Sequence, residues 1–134
     1  MIYTSYFAKL KKLPENYIPI SIAAKSPTGY TGIKYTRLAP TYNILIQYKK
    51  DGNEEIYTRR YNTEILDKVK LVDVLKNIWN IIPTDQKKLF KEDFWKDSDM
   101  HVVLVCYEKP ESFCHRHLIA DWFKKNGIEV DEVK

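Results

Sequence analysis

Cysteine is scarce in this chain, and long apolar runs are absent. Two cysteines among 134 residues cannot make a disulfide-rich scaffold, and a chain of this length buries a core without such cross-links. No stretch approaches the roughly 20 apolar residues that span a membrane. The N-terminus lacks the basic and apolar segments of a secretory signal. We therefore expect a cytoplasmic protein with no membrane partner. Its Cys106 and Cys114 should be reduced, and a disulfide between them is the less favoured state.

No repeat, low-complexity tract or linker divides the chain, which indicates one domain over residues 1–134. Its 44% hydrophobic and 30% charged content is ordinary for a globular protein. The net charge of +4 permits an anionic partner without requiring one. Several of the ten tyrosines stand among basic residues, a pattern that suits nucleic-acid binding but is more typical of an amphipathic surface. These segments are Tyr30, 33–37, 48–50 and 57–61.

Hydrophobic periodicity predicts an α/β fold. Short apolar or alternating runs predict strands at 2–5, 18–23, 102–106 and 128–133. Apolar residues at helical spacing predict helices at 41–50, 54–68, 71–82 and 115–126, with a turn or two at 7–13 and 84–95. Prolines and glycines between Lys25 and Pro40 argue against a regular element there. The strand-loop-helix-strand order of the last third predicts a mostly parallel sheet of about four strands, covered by helices, with the final strand at an edge.

The strongest site candidate is the loop that follows the apolar strand at 102–106. It leads to Cys114, His115 and Arg116, where the last helix should begin. In open α/β sheets, ligands bind at the carboxyl ends of strands, and anions bind at helix N-termini. The sequence therefore predicts a binding site at this loop.

Each of these residues has two interpretations. Cys114 at the helix start could be a nucleophile activated by the helix dipole and its basic neighbours, although a small buried cysteine is more common. Arg116 could bind a phosphate or carboxylate through its planar fork. Equally, it could form a salt bridge to Glu108 or Glu111 in the preceding loop. Glu108 could serve as a general base or be a solvated charge.

Two further groups of residues are candidates. Ser21 and Lys25, near the end of the second predicted strand, could line the same pocket, together with His115 and Cys106. A metal site is the alternative for the two cysteines with His115 and His117, since zinc accepts sulfur and imidazole ligands. The spacing matches no common zinc motif, and the two histidines should point about 200° apart on a helix. We therefore assign no metal ligand.

These residues also carry a family resemblance. The string Leu104-Val105-Cys106-Tyr107-Glu108-Lys109, followed by Phe113-Cys114-His115-Arg116-His117-Leu118, resembles the hallmark of the domain-of-unknown-function 488 (DUF488) family, in a short phage and bacterial branch. Weaker similarity extends through the earlier segments 3–6, 20–23, 38–40 and 57–61. The resemblance implies a compact α/β domain with its functional centre at the Cys-His-Arg loop. It supplies no reaction and no cofactor. Where other branches carry Asp-x-Arg, this chain has Ala23-Ala24-Lys25.

Three functions follow as hypotheses. The first is a pocket for a phosphate-bearing ligand, a nucleotide or nucleic acid, lined by Arg116, Lys25 and Ser21 with the amides around Cys114. The second is a thiol- or metal-dependent enzyme that uses Cys106 and Cys114. The third is a non-catalytic protein that binds a host protein.

Overall fold

The computed structural model describes residues 1–88, 91–96 and 99–133. Its five strands form one parallel sheet in the order β3-β2-β4-β1-β5. The strands are β1 Ile2–Tyr6, β2 Tyr17–Ser21, β3 Ile33–Lys34, β4 His101–Cys106 and β5 Val130–Glu132. The α-helices are α1 Tyr42–Asp51, α2 Glu54–Glu64, α3 Leu71–Ile81, α4 Thr84–Lys87 and α5 His115–Lys125. Three 3₁₀ segments lie at Phe7–Lys12, Thr36–Leu38 and Leu66–Lys68. Within the described ranges, no helix has the length and apolar character needed to cross a bilayer.

The α/β fold with a parallel sheet is confirmed, and one strand was missed. The segment between Lys25 and Pro40, expected to lack regular structure, contains β3 and a 3₁₀ turn. The sheet therefore has five strands rather than about four. β3 pairs with β2 through only two residues, Ile33 and Lys34, and so short a strand between turn residues leaves no periodic pattern in the sequence. The predicted turn or two at 84–95 is confirmed in the described residues by α4 and by a turn at 92–95, and 89–90 lie outside those residues.

β4 is the central strand, with β1 on one side and β2 on the other. Its residues Val102–Cys106 are all buried, as expected of a strand covered on both faces. Tyr6 pairs with Cys106, and Ser21 pairs with Val105, so β1, β2 and β4 end at nearly the same level. The loops that follow β2 and β4 consequently emerge side by side at the carboxyl edge of the sheet.

α1 and α2 form a helical hairpin beside this edge. The Thr41 side chain accepts a hydrogen bond from the Ile44 amide at 3.2 Å and begins α1, as predicted. Gly52 ends α1 in the left-handed conformation (φ 61°), where a side chain would be strained. Asn53 then caps α2 at once. The tight link brings Tyr48 of α1 and Tyr57 of α2 into ring contact, with centroids 5.3 Å apart.

Candidate functional site

A cavity of about 330 Å³ opens at the carboxyl ends of β2 and β4. The loop after β2 contributes Ala23, Ala24 and Lys25 to its wall. The end of β4, the loop that follows and the first residue of α5 contribute a second set of residues, and the α1–α2 hairpin with the turn before it contributes a third. The second set is Cys106, Tyr107, Glu108, Phe113, Cys114 and His115, and the third is Pro40, Leu45, Tyr48 and Tyr57. The predicted loop therefore does lie at a cavity.

The two cysteines meet in the wall of this cavity. Cys106 is the last residue of β4, and Cys114 is the residue before α5. The loop between them turns back, so that their sulfur atoms are joined in a disulfide. The expectation of two reduced thiols is thereby corrected. Both cysteines are buried (1% and 6% exposed) yet line the cavity. A molecule bound in the cavity can therefore reach these two sulfur atoms.

Arg116 lies behind the cysteines rather than in the cavity wall. Its side chain is fully buried, and its guanidinium makes a two-point ion pair with Glu132 on β5. The Nε–Oε1 distance is 3.1 Å and the Nη2–Oε2 distance is 3.0 Å. Nη1 also donates to the backbone carbonyl of Glu108. Arg116 therefore does form a salt bridge, but its partner is Glu132 and not the predicted Glu108 or Glu111. In the described residues, neither of those two side chains takes part in the pair.

The remaining contact of Arg116 is with sulfur. Nη1 donates to Sγ of Cys106 at 3.0 Å. A buried guanidinium favours a thiolate over a thiol on the sulfur that it contacts. The sequence had placed Cys114 beside this cation, but the helix turns Arg116 towards Cys106. The contacts therefore favour Cys106 as the activated thiol.

His115 is buried between Cys114 and the chain that follows β2. Its Nε2 lies 2.8 Å from the carbonyl oxygen of Ile22, and its Nδ1 lies 3.8 Å from Sγ of Cys114. A carbonyl only accepts, so Nε2 carries the hydrogen and Nδ1 is free to accept from a Cys114 thiol. Burial, with a smaller effect of Arg116 and His117, lowers the pKa of His115 to about 4 although the Ile22 bond opposes this shift. The imidazole is neutral near pH 7.

The lowered pKa of His115 predicts a pH-dependent stability. In the unfolded chain the imidazole binds a proton near its ordinary pKa of 6.5, whereas the folded protein resists protonation down to about pH 4. The contribution of neutral His115 to the folding free energy is therefore fully present above pH 6.5, and it is lost as the pH falls towards 4. We expect a loss of about 2 kcal/mol between pH 7 and pH 5 from this group. Urea unfolding of the wild type and of His115→Gln at both pH values measures it. An equal pH effect in the two proteins would contradict this assignment.

The other predicted site residues are spread around the cavity. Lys25 and Glu108 are exposed and lie in its wall. Ser21 is buried, and its hydroxyl lies 2.8 Å from that of Ser26. In the described part of the chain Ser21 is not among the lining residues. A role for Ser21 in binding therefore stays a prediction without a contact to the cavity.

Potential metal ligands are partly assembled. Cys106, Cys114 and His115 offer ligand atoms within 4.8 Å of one another, and His117 is not in this group. The predicted divergence of the two histidines on the helix agrees with this arrangement. A cation bound there would also face the Arg116 guanidinium beside Cys106, and like charges repel strongly in a buried site. The group is thus better arranged for thiol chemistry than for a divalent metal.

An aromatic wall is the part of the site that the sequence did not reveal. Phe113 contacts Tyr57 with ring centroids 5.0 Å apart and contacts Tyr48 at 5.4 Å. Tyr57 belongs to a segment noticed for its basic neighbours, but nothing in the pattern linked it to Phe113, 56 positions later. Glu132 was missed for the same reason. A buried arginine requires an acid, but the sequence does not show which of its 18 acidic residues it is.

Comparison with known proteins gives a family match and no closer relative. The family model DUF488-N3a, described as the active DUF488-N3 subclade, matches residues 9–127. This range contains both cysteines, Arg116 and the aromatic wall, and it ends before Glu132. No curated protein and no solved structure matches the chain significantly.

Proposed function

We propose that this chain, which belongs to the DUF488 family, is a thiol enzyme whose nucleophile is Cys106 and whose resolving thiol is Cys114. One observation carries the proposal: the Cys106 sulfur lies between the Cys114 sulfur and the Arg116 guanidinium, in the wall of an open cavity. A nucleophilic thiolate needs a stabilising cation and access to substrate. The arrangement offers both.

The ion pair with Glu132 has a defined part in this proposal. It fixes the guanidinium from the side away from Cys106, so that Nη1 remains directed at the sulfur. Thr4 adds a hydrogen bond of 2.7 Å from its hydroxyl to the same Glu132 carboxylate. Arg116 is therefore a positioning residue that stabilises the charged form of Cys106 and leaves the cavity to the substrate.

The proposed reaction is exchange with a substrate that contains a sulfur–sulfur bond. The Cys106 thiolate attacks one substrate sulfur, the substrate bond breaks, and the departing thiolate takes a proton from solvent. The Cys114 thiol then releases its proton to solvent, and its thiolate attacks Sγ of Cys106, which releases the second substrate thiolate. The Cys106–Cys114 disulfide that results is the state seen in the structure. A thiol reductant returns the enzyme to two thiols by the reverse exchange.

Stoichiometry tests this proposal. Reduced protein mixed with excess 2-hydroxyethyl disulfide should release two equivalents of mercaptoethanol per chain and lose two thiol hydrogens, because substrate reduction oxidises both cysteines. Thiol assays and intact-mass measurement follow the two changes. A product that keeps one added mercaptoethanol group, or thiols that react no faster at pH 7 than those of a small cysteine peptide at the same total thiol concentration, would refute it.

A second candidate is non-catalytic binding of a nucleotide or nucleic acid. The observation that favours it is an exposed Lys25 at a cavity with an aromatic wall, since aromatic faces stack on bases and a lysine attracts phosphate. Binding of nucleotides and short oligonucleotides should then weaken as salt increases. No binding at low salt would remove this candidate and leave the thiol proposal unaffected.

A further inference from the structure

We infer that the substrate of this site is a small uncharged compound with a planar aromatic or heteroaromatic ring, held against the Tyr48, Tyr57 and Phe113 wall while its sulfur meets Cys106. The inference rests on the proposed thiol function for its reaction but not for its binding surface. It follows from the shape, polarity and unpaired groups of the cavity.

The wall is a preassembled cluster of three rings. The centroids of Tyr48, Tyr57 and Phe113 lie 5.0–5.4 Å apart in each pair, and the two pairs that include Tyr57 are edge-to-face. Such clusters offer ring faces and edges to a further ring at favourable geometry. Tyr57 is almost fully buried, while Tyr48 and Phe113 are partly exposed. The three rings already contact one another before a ligand binds, which lowers the entropic cost of ordering them on binding.

Two tyrosine hydroxyls on this wall lack protein partners among the residues that the structure describes. Within the described residues, neither the Tyr48 nor the Tyr57 hydroxyl forms a hydrogen bond. Burial raises the pKa of both phenols, so each remains a neutral donor at physiological pH. Tyr61, by contrast, donates to the Leu38 carbonyl at 2.5 Å. The unpaired hydroxyls fit a ring that carries nitrogen or oxygen acceptors.

The volume and the charges of the cavity further restrict the class of substrate. A volume of about 330 Å³ is at the low end of small-molecule sites, which span about 300–1,000 Å³, and it fits one or two fused rings with a short substituent. The exposed charges in the wall are one lysine and one glutamate, Lys25 and Glu108. They offset each other, so the cavity gives no net preference for a charged ligand.

Two neutral disulfides test the inference in reduced wild-type protein. One is 2,2'-dithiodipyridine, which has aromatic rings, and the other is 2-hydroxyethyl disulfide, which has none. Each rate is divided by the rate with free N-acetylcysteine to remove intrinsic reactivity. We expect the normalised rate to be at least about tenfold higher for the aromatic probe, the effect of one ring contact, and to saturate with its concentration. Equal normalised rates would overturn the inference.

Matched variants test whether the aromatic wall causes the faster reaction of the aromatic probe. Tyr48→Leu and Phe113→Leu should each lower the normalised rate of the aromatic probe about tenfold more than that of the aliphatic probe. Tyr42→Leu is the control, because Tyr42 lies on the same helix as Tyr48, is 76% exposed and does not line the cavity. Equal slowing of both probes by Tyr48→Leu would show a structural effect and overturn the inference.

A binding measurement separates this inference from the proposed reaction. The oxidised protein has no thiol to react, so calorimetric titration with adenosine and with ribose reports ring binding alone. We expect adenosine to bind and ribose not to, with binding about tenfold weaker in Tyr48→Leu. If adenosine binds but neither disulfide reacts, the proposed thiol function is refuted and the ring-binding site is supported. If both disulfides react equally and adenosine does not bind, the ring-binding site is refuted and the proposed thiol function is supported.

Discussion

Cys106→Ser is expected to abolish disulfide exchange, whereas Cys114→Ser should stop it after the first step. Serine at position 106 removes the attacking sulfur, so the rate should fall by at least about a thousandfold, as when other enzymes lose their nucleophile. Serine at position 114 leaves Cys106 and its Arg116 contact in place but removes the resolving thiol. That variant should accumulate a mixed disulfide with one substrate thiol, which intact-mass measurement detects.

The pair of variants distinguishes the two thiols. The reverse outcome, in which Cys106→Ser forms the stable adduct and Cys114→Ser is inert, would assign the nucleophile to Cys114. That result would restore Cys114, the candidate nucleophile named from the sequence, and contradict the assignment based on the Arg116 contact. Full exchange in either variant would show that the two sulfurs do not act as a pair. Circular dichroism of both variants checks that the fold is kept.

Glu132→Ala is expected to cost about 3 kcal/mol of folding free energy, measured by urea unfolding. The substitution leaves the fully buried Arg116 guanidinium without its counter-ion, and an unpaired buried charge is strongly destabilising. The value lies at the low end of the range for buried pairs because 24% of the Glu132 side chain remains exposed. The Cys106 thiolate cannot offset this loss while that sulfur is held in the disulfide.

Two controls interpret this loss. Glu129→Ala removes an exposed carboxylate close to the same strand and should change stability by less than about 0.5 kcal/mol. The double variant Arg116→Met with Glu132→Leu removes both charges and should recover most of the stability, since an apolar pair of similar volume is often as stable as a buried ion pair. A Glu132→Ala loss below about 1 kcal/mol would mean that water reaches Arg116, in contrast to its 0% exposure.

Much of the fold was predictable from sequence because its elements carry local signals. The run from Val102 to Cys106 is apolar throughout and forms the central strand. Thr41 and Asn53 cap the two helices of the hairpin, and Gly127, with φ 85°, follows α5. β3 was missed because its two residues are ordered by pairing with β2, which is a contact between distant parts of the sheet.

The place of the candidate site was predictable, but its contacts were not. A strand that ends in a polar loop before a helix identifies the carboxyl edge of the sheet as the site, and Cys106, Cys114 and His115 do line a cavity there. The direction of Arg116, by contrast, depends on α5 packing beside β1, β4 and β5. That packing turns the guanidinium away from the loop acids and towards Glu132 and Cys106.

The sequence by itself determined the parallel α/β architecture, the position of the Cys-His-Arg loop and the family. Periodicity, caps and short motifs depend on residues that are close in sequence, so they can be recognised without the structure. Only the tertiary structure decided that Arg116 contacts the Cys106 sulfur, that Glu132 is the ion-pair partner of Arg116 and that Tyr48, Tyr57 and Phe113 form one wall. These contacts join residues from separate strands and helices, and their partners are selected by burial and charge pairing among many chemically equivalent candidates.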